Sequence, residues 1–544
     1  MPLTQVTGRM INRYAVDAAF FGVLPSNTAA VNTSKIQDFL SSSVDEVVFI
    51  GGEEYEFSDT IDWVSGKRAS ASGGDYAILS FPSVHDTENL LVNCDTLSNI
   101  AFDNIHIKGD RTAFVNDGQD KYGLYMKGCT SFSVTNCKAS AVENGFAFRD
   151  GCARGFVDNL VGENCYYHSI SFWGRNTAVN QHLRAGSLYA YSTGSTEAAC
   201  AITGVFVEET YDSQFSQILA HDCGVGCRIE NSCDNAFGQI TTHDNWRIGC
   251  NIYNFSQRNS ISSITTFNNN RANADAIDTS TTRGNDNTGC YGVGFENTCC
   301  NNTIGSVSAF QTPGYIVPFA SGSDEPWLGS KLQGTTSGAV GRVRKITLTS
   351  GSWGGGDAAG EMELVEVTGT FGSSEVIQNV TTRVPYNSGS AKPAPGDVLT
   401  GASSGATGTV LWASQQSAAD WTGGSSAGYI YLVGVSGTFG TSENLNNTTS
   451  GVSNIATTDG ASDAADTDIA TTNGAPTAGV SQGFQKYGIA VNIRNIGGGG
   501  NDNYNIIRSG QVFNNDVAPI TQRGFGNDFQ VNTAFNRSDF TRNA

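Results

Sequence analysis

Two glutamates 22 residues apart, Glu208 and Glu230, close two short phrases of one pattern, TGVFVE and VGCRIE. If those phrases lie side by side as strands, their Cα atoms stand about 5 Å apart. Two carboxyl groups at roughly that distance suit hydrolysis of a glycosidic bond, one as acid/base and the other as nucleophile. Crowded like charges push one pKa upward and leave one carboxyl able to donate a proton; Arg228, diagonal to both, opposes this. Glu209 and Asp150, one position further along their phrases, offer a wider pair with room for a water, the inverting arrangement. Lys127, Arg149 and Tyr253 offer a third chemistry, lyase action on a uronic acid. The residues alone leave these alternatives open.

The side chains around the pair suit a sugar. Trp173, Tyr253, Tyr125 and Phe206 present rings that can lie against pyranose faces, while Arg149, Arg228 and Glu296 can hydrogen-bond hydroxyls. Exposed aromatics in such a row serve a trimer interface equally well. A second row holds His221 and His243 with Asp222 and Asp244 beside them, donors that could bind a divalent metal. That row runs on into Phe267 and Phe310, which is the pattern of a turn ladder, so neither metal nor cofactor is expected.

The element that positions these residues is a repeat. A glycine followed by a four-residue alternation recurs as YGLYMK at Gly123, NGFAFR at Gly145, TGVFVE at Gly204, VGCRIE at Gly226, IGCNIY at Gly249, YGVGFE at Gly292 and YGIAVN at Gly488. HSISFW carries Ser169 in the glycine's place, and the closest spacings are 22, 22 and 23 residues. A period of this length reads as a solenoid of stacked coils. Strand side chains alternate faces. The first and third positions, Phe148, Phe172, Val207, Ile229 and Ile252 among them, are therefore expected inside, and the second and fourth outside. Cys129, Cys152, Cys233 and Cys299 recur near the following turn and are expected to stack inside the coil. An odd total of 13 cysteines without paired zinc-type spacing favours buried free thiols.

Composition agrees with an all-β, turn-rich chain: 544 residues include 65 glycines, and only 15% are charged. A net charge of -20 disfavours nucleic acid and anionic membranes. No apolar run is long enough to span a bilayer, and MPLTQVTGRMI lacks the pattern of a signal peptide. From Asn27, NTAAVNTSKIQDFLSSS predicts an amphipathic helix that covers the open end of the stack before the strands of EVVFIGGEEYEFSDTI. Two coils carry long excursions, one from Asn268 to Cys290 and one around RAGSLYAYSTGSTEAAC, and these are expected at the rim of a binding surface.

Between the coil phrases lies a different repeat. GSKLQGTTSGAVGRV from Gly329 aligns with GDVLTGASSGATGTV from Gly396, and WGGGDAAGEMELVEVTGTF from Trp353 with WTGGSSAGYIYLVGVSGTF from Trp421, at an offset of 67 to 68 residues. The expected division is 1–25 as an attachment segment and 26–322 as β-helix. Residues 323–478 are inserted tandem β modules (about 329–395 and 396–456 plus a linker), and 479–544 hold the last coil and C-terminal end.

The helix-then-strand opening and the coil phrases resemble the pectate-lyase-like superfamily of right-handed parallel β-helices, and TQVTGRMI resembles the start of podovirus tail fibres and tailspikes. The resemblance implies a homotrimeric spike of a bacteriophage, assembled in the host cytoplasm and joined to phage tail proteins through its N-terminal segment. Such a spike binds, and often cleaves, a bacterial surface polysaccharide. Spikes of this kind commonly end in a sizeable β-rich trimerisation domain, whereas here about fifty residues follow Gly488.

Overall fold

A computed structural model of the protein describes residues 15–82, 90–110, 121–193, 202–269, 291–310, 315–476, 487–491 and most of 505–542, apart from short internal breaks. The N-terminal residues 1–14 and the excursions at 194–201 and 270–290 lie outside the described residues.

The shaft is a right-handed parallel β-helix. The glycine-led phrases stack as one 12-stranded parallel sheet. In it Leu124, Phe146, Ile170, Val205, Cys227, Cys250, Val293 and Ile489 follow one another in register. The second apolar segment of each coil forms a longer strand, such as Gln214–His221 or Ala236–His243, in a second parallel sheet. Phe148, Phe172, Val207, Ile229 and Ile252 are wholly buried between the sheets. Because each core column repeats at the interstrand spacing, rings can stack on themselves, and Phe148 lies over Phe172 at 4.9 Å and Phe215 over Phe237 at 4.8 Å.

The phrase glycine has a packing reason. A Cβ at Gly226 would stand 2.7 Å from the carbonyl oxygen of Gly249, and one at Gly249 would stand 2.6 Å from that of Gly292. At Gly145 it would also meet the Cys165 thiol at 2.8 Å. Ser169 is accommodated by a reciprocal change. The column that elsewhere holds Ala139 and Ala190 has Gly162 in that coil, where a Cβ would come within 2.6 Å of the Ser169 Cβ.

A row of buried asparagines runs through one turn. The side-chain amide of Asn235 donates to Asn259 at 3.1 Å, that of Asn259 to Asn302 at 3.0 Å, and that of Asn302 to Asn505 at 3.0 Å. Each oxygen also accepts a backbone N–H from the coil below, as Asn259 does from Asn235. Asn259→Ala would strand the Asn235 backbone N–H and one hydrogen of its side-chain amide, while the Ser232 carbonyl that Asn259 also serves keeps the Gln257 N–H. At about 1–3 kcal/mol for a buried group left unsatisfied, the expected loss is about 3 kcal/mol or more, read from the midpoint of denaturant unfolding.

The helix Ala29–Leu40 caps the stack, with Ile36, Phe39 and Leu40 buried in the shaft core. Val31, in the first turn of the same helix, is 43% exposed. Among the described cysteines Cys94, Cys129, Cys137, Cys152, Cys165, Cys227 and Cys250 are buried free thiols, Cys223 and Cys299 are also buried, and Cys233 and Cys300 are not. Cys233 departs from the expected column: it bridges to Tyr211 and Gln257, one place beyond the position that Ser232 shares with the buried Cys129 and Cys152. A one-residue offset in a turn carries the side chain from the core to the rim.

The segment between the coils forms two closed barrels of six strands each. Val340–Ser350 pairs antiparallel with Ala358–Thr368 in one, and Thr407–Ala413 with Ser426–Ser436 in the other. Equivalent fittings recur in both. Trp353 stacks on Phe319 as Trp421 does on Tyr386, and Glu375 accepts from the Ser337 backbone and hydroxyl as Glu443 does from Ser404. Two expected boundaries are corrected. Tyr315–Gly322, assigned to the shaft, is the first strand of the first barrel, and Thr467–Thr472, assigned to a linker, is its last. The alternation of Tyr315, Val317 and Phe319 serves a coil or a barrel equally, and TDIATT has too few large residues to stand out as a strand. The second barrel, Thr381–Thr458, is thereby nested between the fifth and sixth strands of the first. The coils close over the insertion: Ile304 pairs with Ile507, and the Val307 amide donates to the Ser509 carbonyl at 3.0 Å.

Candidate functional site

The outward fourth positions align as Lys127, Arg149, Trp173, Glu208, Glu230, Tyr253 and Glu296 across consecutive strands. Glu208 and Glu230 are therefore direct neighbours. The side chain of Glu296 lies outside the described residues. Outward does not mean exposed in this row: Arg149 is 3%, Phe206 5% and Glu230 7% exposed. Long side chains a strand spacing apart lie over one another and exclude water.

The strip is organised by guanidinium–aromatic stacking. Arg149 lies over Trp173 at 3.9 Å and bonds the Tyr122 hydroxyl. Arg175 reaches the Trp173 ring at 5.5 Å. Arg228 lies over Tyr253 at 4.4 Å and Phe206 at 5.8 Å. Tyr125, half-buried, packs against Tyr122 at 4.9 Å. Of the rings expected to receive sugars, Trp173, Phe206 and Tyr253 are thus already faced by cations, and only their remaining faces and edges can meet a ligand. His168, which the sequence reading passed over, is buried and stacked on Phe206 at 4.5 Å. Burial, with Arg228 and Arg149 nearby, lowers its pKa to about 3, so it is neutral.

The two glutamates have unlike surroundings. Arg228 donates to Glu230 at 2.7 Å, and the Asn254 amide donates to its other oxygen. Glu208 is only half-buried, and its pKa is pushed up to about 7, first by burial and then by the charges of Glu230 and Glu209, against the opposing pull of Arg228 and Arg149. The expected splitting of a carboxylate pair therefore falls on Glu208 as the group able to donate. Asn254 was not foreseen; its signal was its place immediately after Tyr253, where a side chain turns back toward the preceding coil.

Asp150 and Glu209 occupy the turn position just beyond the strands, with φ of 46° and 43°. The neighbouring turns place Gly128, Asn231 and Asn254 there, residues that tolerate left-handed backbone. A glutamate in that conformation is strained by about 1–3 kcal/mol, which points to a use for its carboxylate. Asp150 faces Arg175 at 4.0 Å. Buried atoms of this strip lack a hydrogen-bond partner among the described residues: Asp150 Oδ1, His168 Nδ1, Glu209 Oε2, Arg228 Nε and Asn251 Oδ1. Native proteins satisfy about nine in ten such groups, so these exceptions call for water or another polar partner reaching into the strip.

The histidine row is a ladder. His221 and His243 stack at 4.7 Å, and the row continues through Phe267 to Phe310. Each imidazole Nδ1 shares a hydrogen bond with the adjacent Asp222 or Asp244.

No family model and no curated protein matches the chain. Among solved structures, the enzymatically active domain of tailspike protein 2 from bacteriophage CBA120 is similar at 11% identity over 86% of this chain and 82% of that one, with a TM-score of 0.37. The A-module of mannuronan C-5 epimerase AlgE4 from Azotobacter vinelandii is similar at 11% over 54% and 88%, with a TM-score of 0.34. DFA-IIIase from Arthrobacter chlorophenolicus A6 is similar at 11% over 54% and 80%, with a TM-score of 0.39. With TM-scores below 0.5, these likenesses lend nothing to any residue's role, which stands on the geometry of the strip itself.

Proposed function

We propose that the outward strip of the phrase sheet is a groove for a bacterial surface polysaccharide, and that the protein is a phage tailspike that hydrolyses it. The adjacency of Glu208 and Glu230 on a strip of rings and guanidinium groups carries this reading, because a glycan offers both apolar ring faces and many hydroxyls. In the reaction Glu208 gives its proton to the glycosidic oxygen while the Glu230 carboxylate, held by Arg228 and Asn254, attacks the anomeric carbon. Water then displaces Glu230 as the Glu208 carboxylate takes the water's proton. Adjacent register favours this retaining course over the wider inverting one through Asp150 or Glu209.

Incubation with polysaccharide from candidate hosts should release reducing ends of retained anomeric configuration. Inverted product would move the role to Glu209 or Asp150, and ultraviolet absorbance from an unsaturated sugar would identify a lyase. A second reading, adsorption without cleavage, is favoured by the engagement of both Glu230 oxygens; binding by the wild-type protein with no new ends would establish it. The assembly belonging to this role is a homotrimer anchored to the tail through residues 1–25. Light scattering of the full-length protein should give three times the chain mass.

A further inference from the structure

The turn that carries Asn254 holds one residue more than the two turns before it. Glu208, Glu230 and Tyr253 share a register position, and Thr210, Ser232 and Ser256 share the next common one, each backbone N–H of one coil meeting the hydroxyl of the next. Glu208 and Glu230 reach it in two steps, and Tyr253 needs three. The extra residue is Phe255, with φ of 50° directly after Asn254 at 38°. The turn after Arg149 is equally long, since Ala153 and Gln257 align through the bridges of the intervening coils. Its two left-handed residues are Asp150 and Gly151, at 46° and 96°. Where that turn has glycine, this one has a bulky aromatic in a conformation that such residues rarely adopt.

The phenyl ring gains no burial there, for Phe255 is 58% exposed. A residue that is strained, inserted and exposed contributes nothing to the coil that glycine would not do better. Its neighbour Asn254 bonds the Glu230 carboxylate, so the turn that carries Phe255 stands at the edge of the site and not along the shaft at large. The rings inside the strip are faced by Arg149 and Arg228, while the stacked and tilted ring pairs and guanidinium contacts of the shaft include none with Phe255 among the described residues. We infer that Phe255 is the stacking platform for a sugar ring of the glycan adjoining the unit that Glu230 attacks. This rests on the groove reading above.

The test uses full-length protein and the oligosaccharides it releases from host polysaccharide, or the intact polysaccharide if it only binds. Phe255→Gly should weaken binding and raise KM about tenfold, the upper range for loss of an aromatic contact. The kcat should stay unchanged, and Tm should hold or rise because glycine accepts the backbone. Phe255→Trp should restore affinity. Unchanged affinity and KM in Phe255→Gly would overturn the inference and leave the groove standing, as would a fall from assembled to monomer mass, which would place the ring in a subunit contact. A wild-type protein that neither binds nor cleaves any surface polysaccharide would instead remove the groove reading, and this inference with it.

Discussion

Glu208→Gln is expected to lower polysaccharide cleavage by about 10³-fold while leaving binding nearly intact, because general-acid assistance contributes factors of 10² to 10⁴. The amide keeps the size and much of the hydrogen bonding of the protonated side chain and cannot release a proton. The pH profile follows from the same residue. Its pKa near 7 means that the wild-type kcat/KM should fall as pH rises through about 7, where the donor is lost. Stability offers a check independent of substrate. The folded-state pKa lies above the ordinary value of 4.5, so the folded protein holds a proton that the unfolded chain has released. Stability is then fully present below about 4.5 and is lost progressively up to about 7, as a charge is forced beside Glu230 and Glu209. Glu208→Gln removes that loss, so its Tm should match the wild type near pH 4 and exceed it increasingly toward pH 7.5. Equal Tm values across the range would mean that Glu208 is not perturbed, and the acid role would go with it.

Excising residues 380–466 and joining Asn379 to Thr467 by a short turn should leave a folded protein with one closed barrel. Those two residues are antiparallel partners at one end of the pair Val376–Asn379 and Thr467–Thr472, so the cut ends already lie side by side. The remainder loses the packing of Arg383 and Tyr431 on Trp327, at 4.3 and 6.3 Å, and the hydrogen bonds of the Lys331 N–H to the Thr381 hydroxyl and of the Val380 N–H to the Lys331 carbonyl, peripheral contacts of about 1 kcal/mol each. The first barrel's core of Val317, Phe319, Leu332, Met362 and Ile377 is otherwise untouched. Cutting at the boundary read from sequence, 323–478, has the opposite outcome. It leaves Tyr315–Gly322 without its partners and turns Val317 and Phe319, both buried, into an apolar edge. Size-exclusion profiles and heat-capacity scans of the two variants should separate cleanly into a monodisperse cooperative unfolder and an aggregate. Equal behaviour would refute the nested topology.

The shaft was legible because each coil writes its inward and outward positions in the same order, and a glycine whose Cβ would strike the next coil marks the start. The Glu208–Glu230 adjacency followed from that register alone. What eluded the sequence was whatever depends on depth or on a single-residue offset. Glu230 and Arg149 were placed outward correctly and exposed wrongly, since alternation gives a face and not its cover. Cys233 slipped out of its column by one residue, and Phe255 was hidden by the same kind of slip. The asparagine row was present in every relevant turn, yet asparagine is so common in exposed turns that its burial could not be read. The barrel boundary failed because a strand's alternation does not say which partner it will take.

The nesting of one barrel in the other also orders events in time. Strands of the outer barrel made first must wait for their sixth, which emerges only after the whole inner barrel, and the coils on either side must wait for both. Chain closure of a long flexible span carries an entropic penalty that shrinks once the span has folded into a compact body. The inner barrel is a contiguous stretch that can close alone, so it shortens the gap for the outer one, whose closure in turn brings Ile489 toward Val293 and Ile507 toward Ile304. The arrangement resolves from the inside outward, like brackets closing in a formula. A defect in the innermost barrel would therefore surface first as delayed maturation of the distant C-terminal coils.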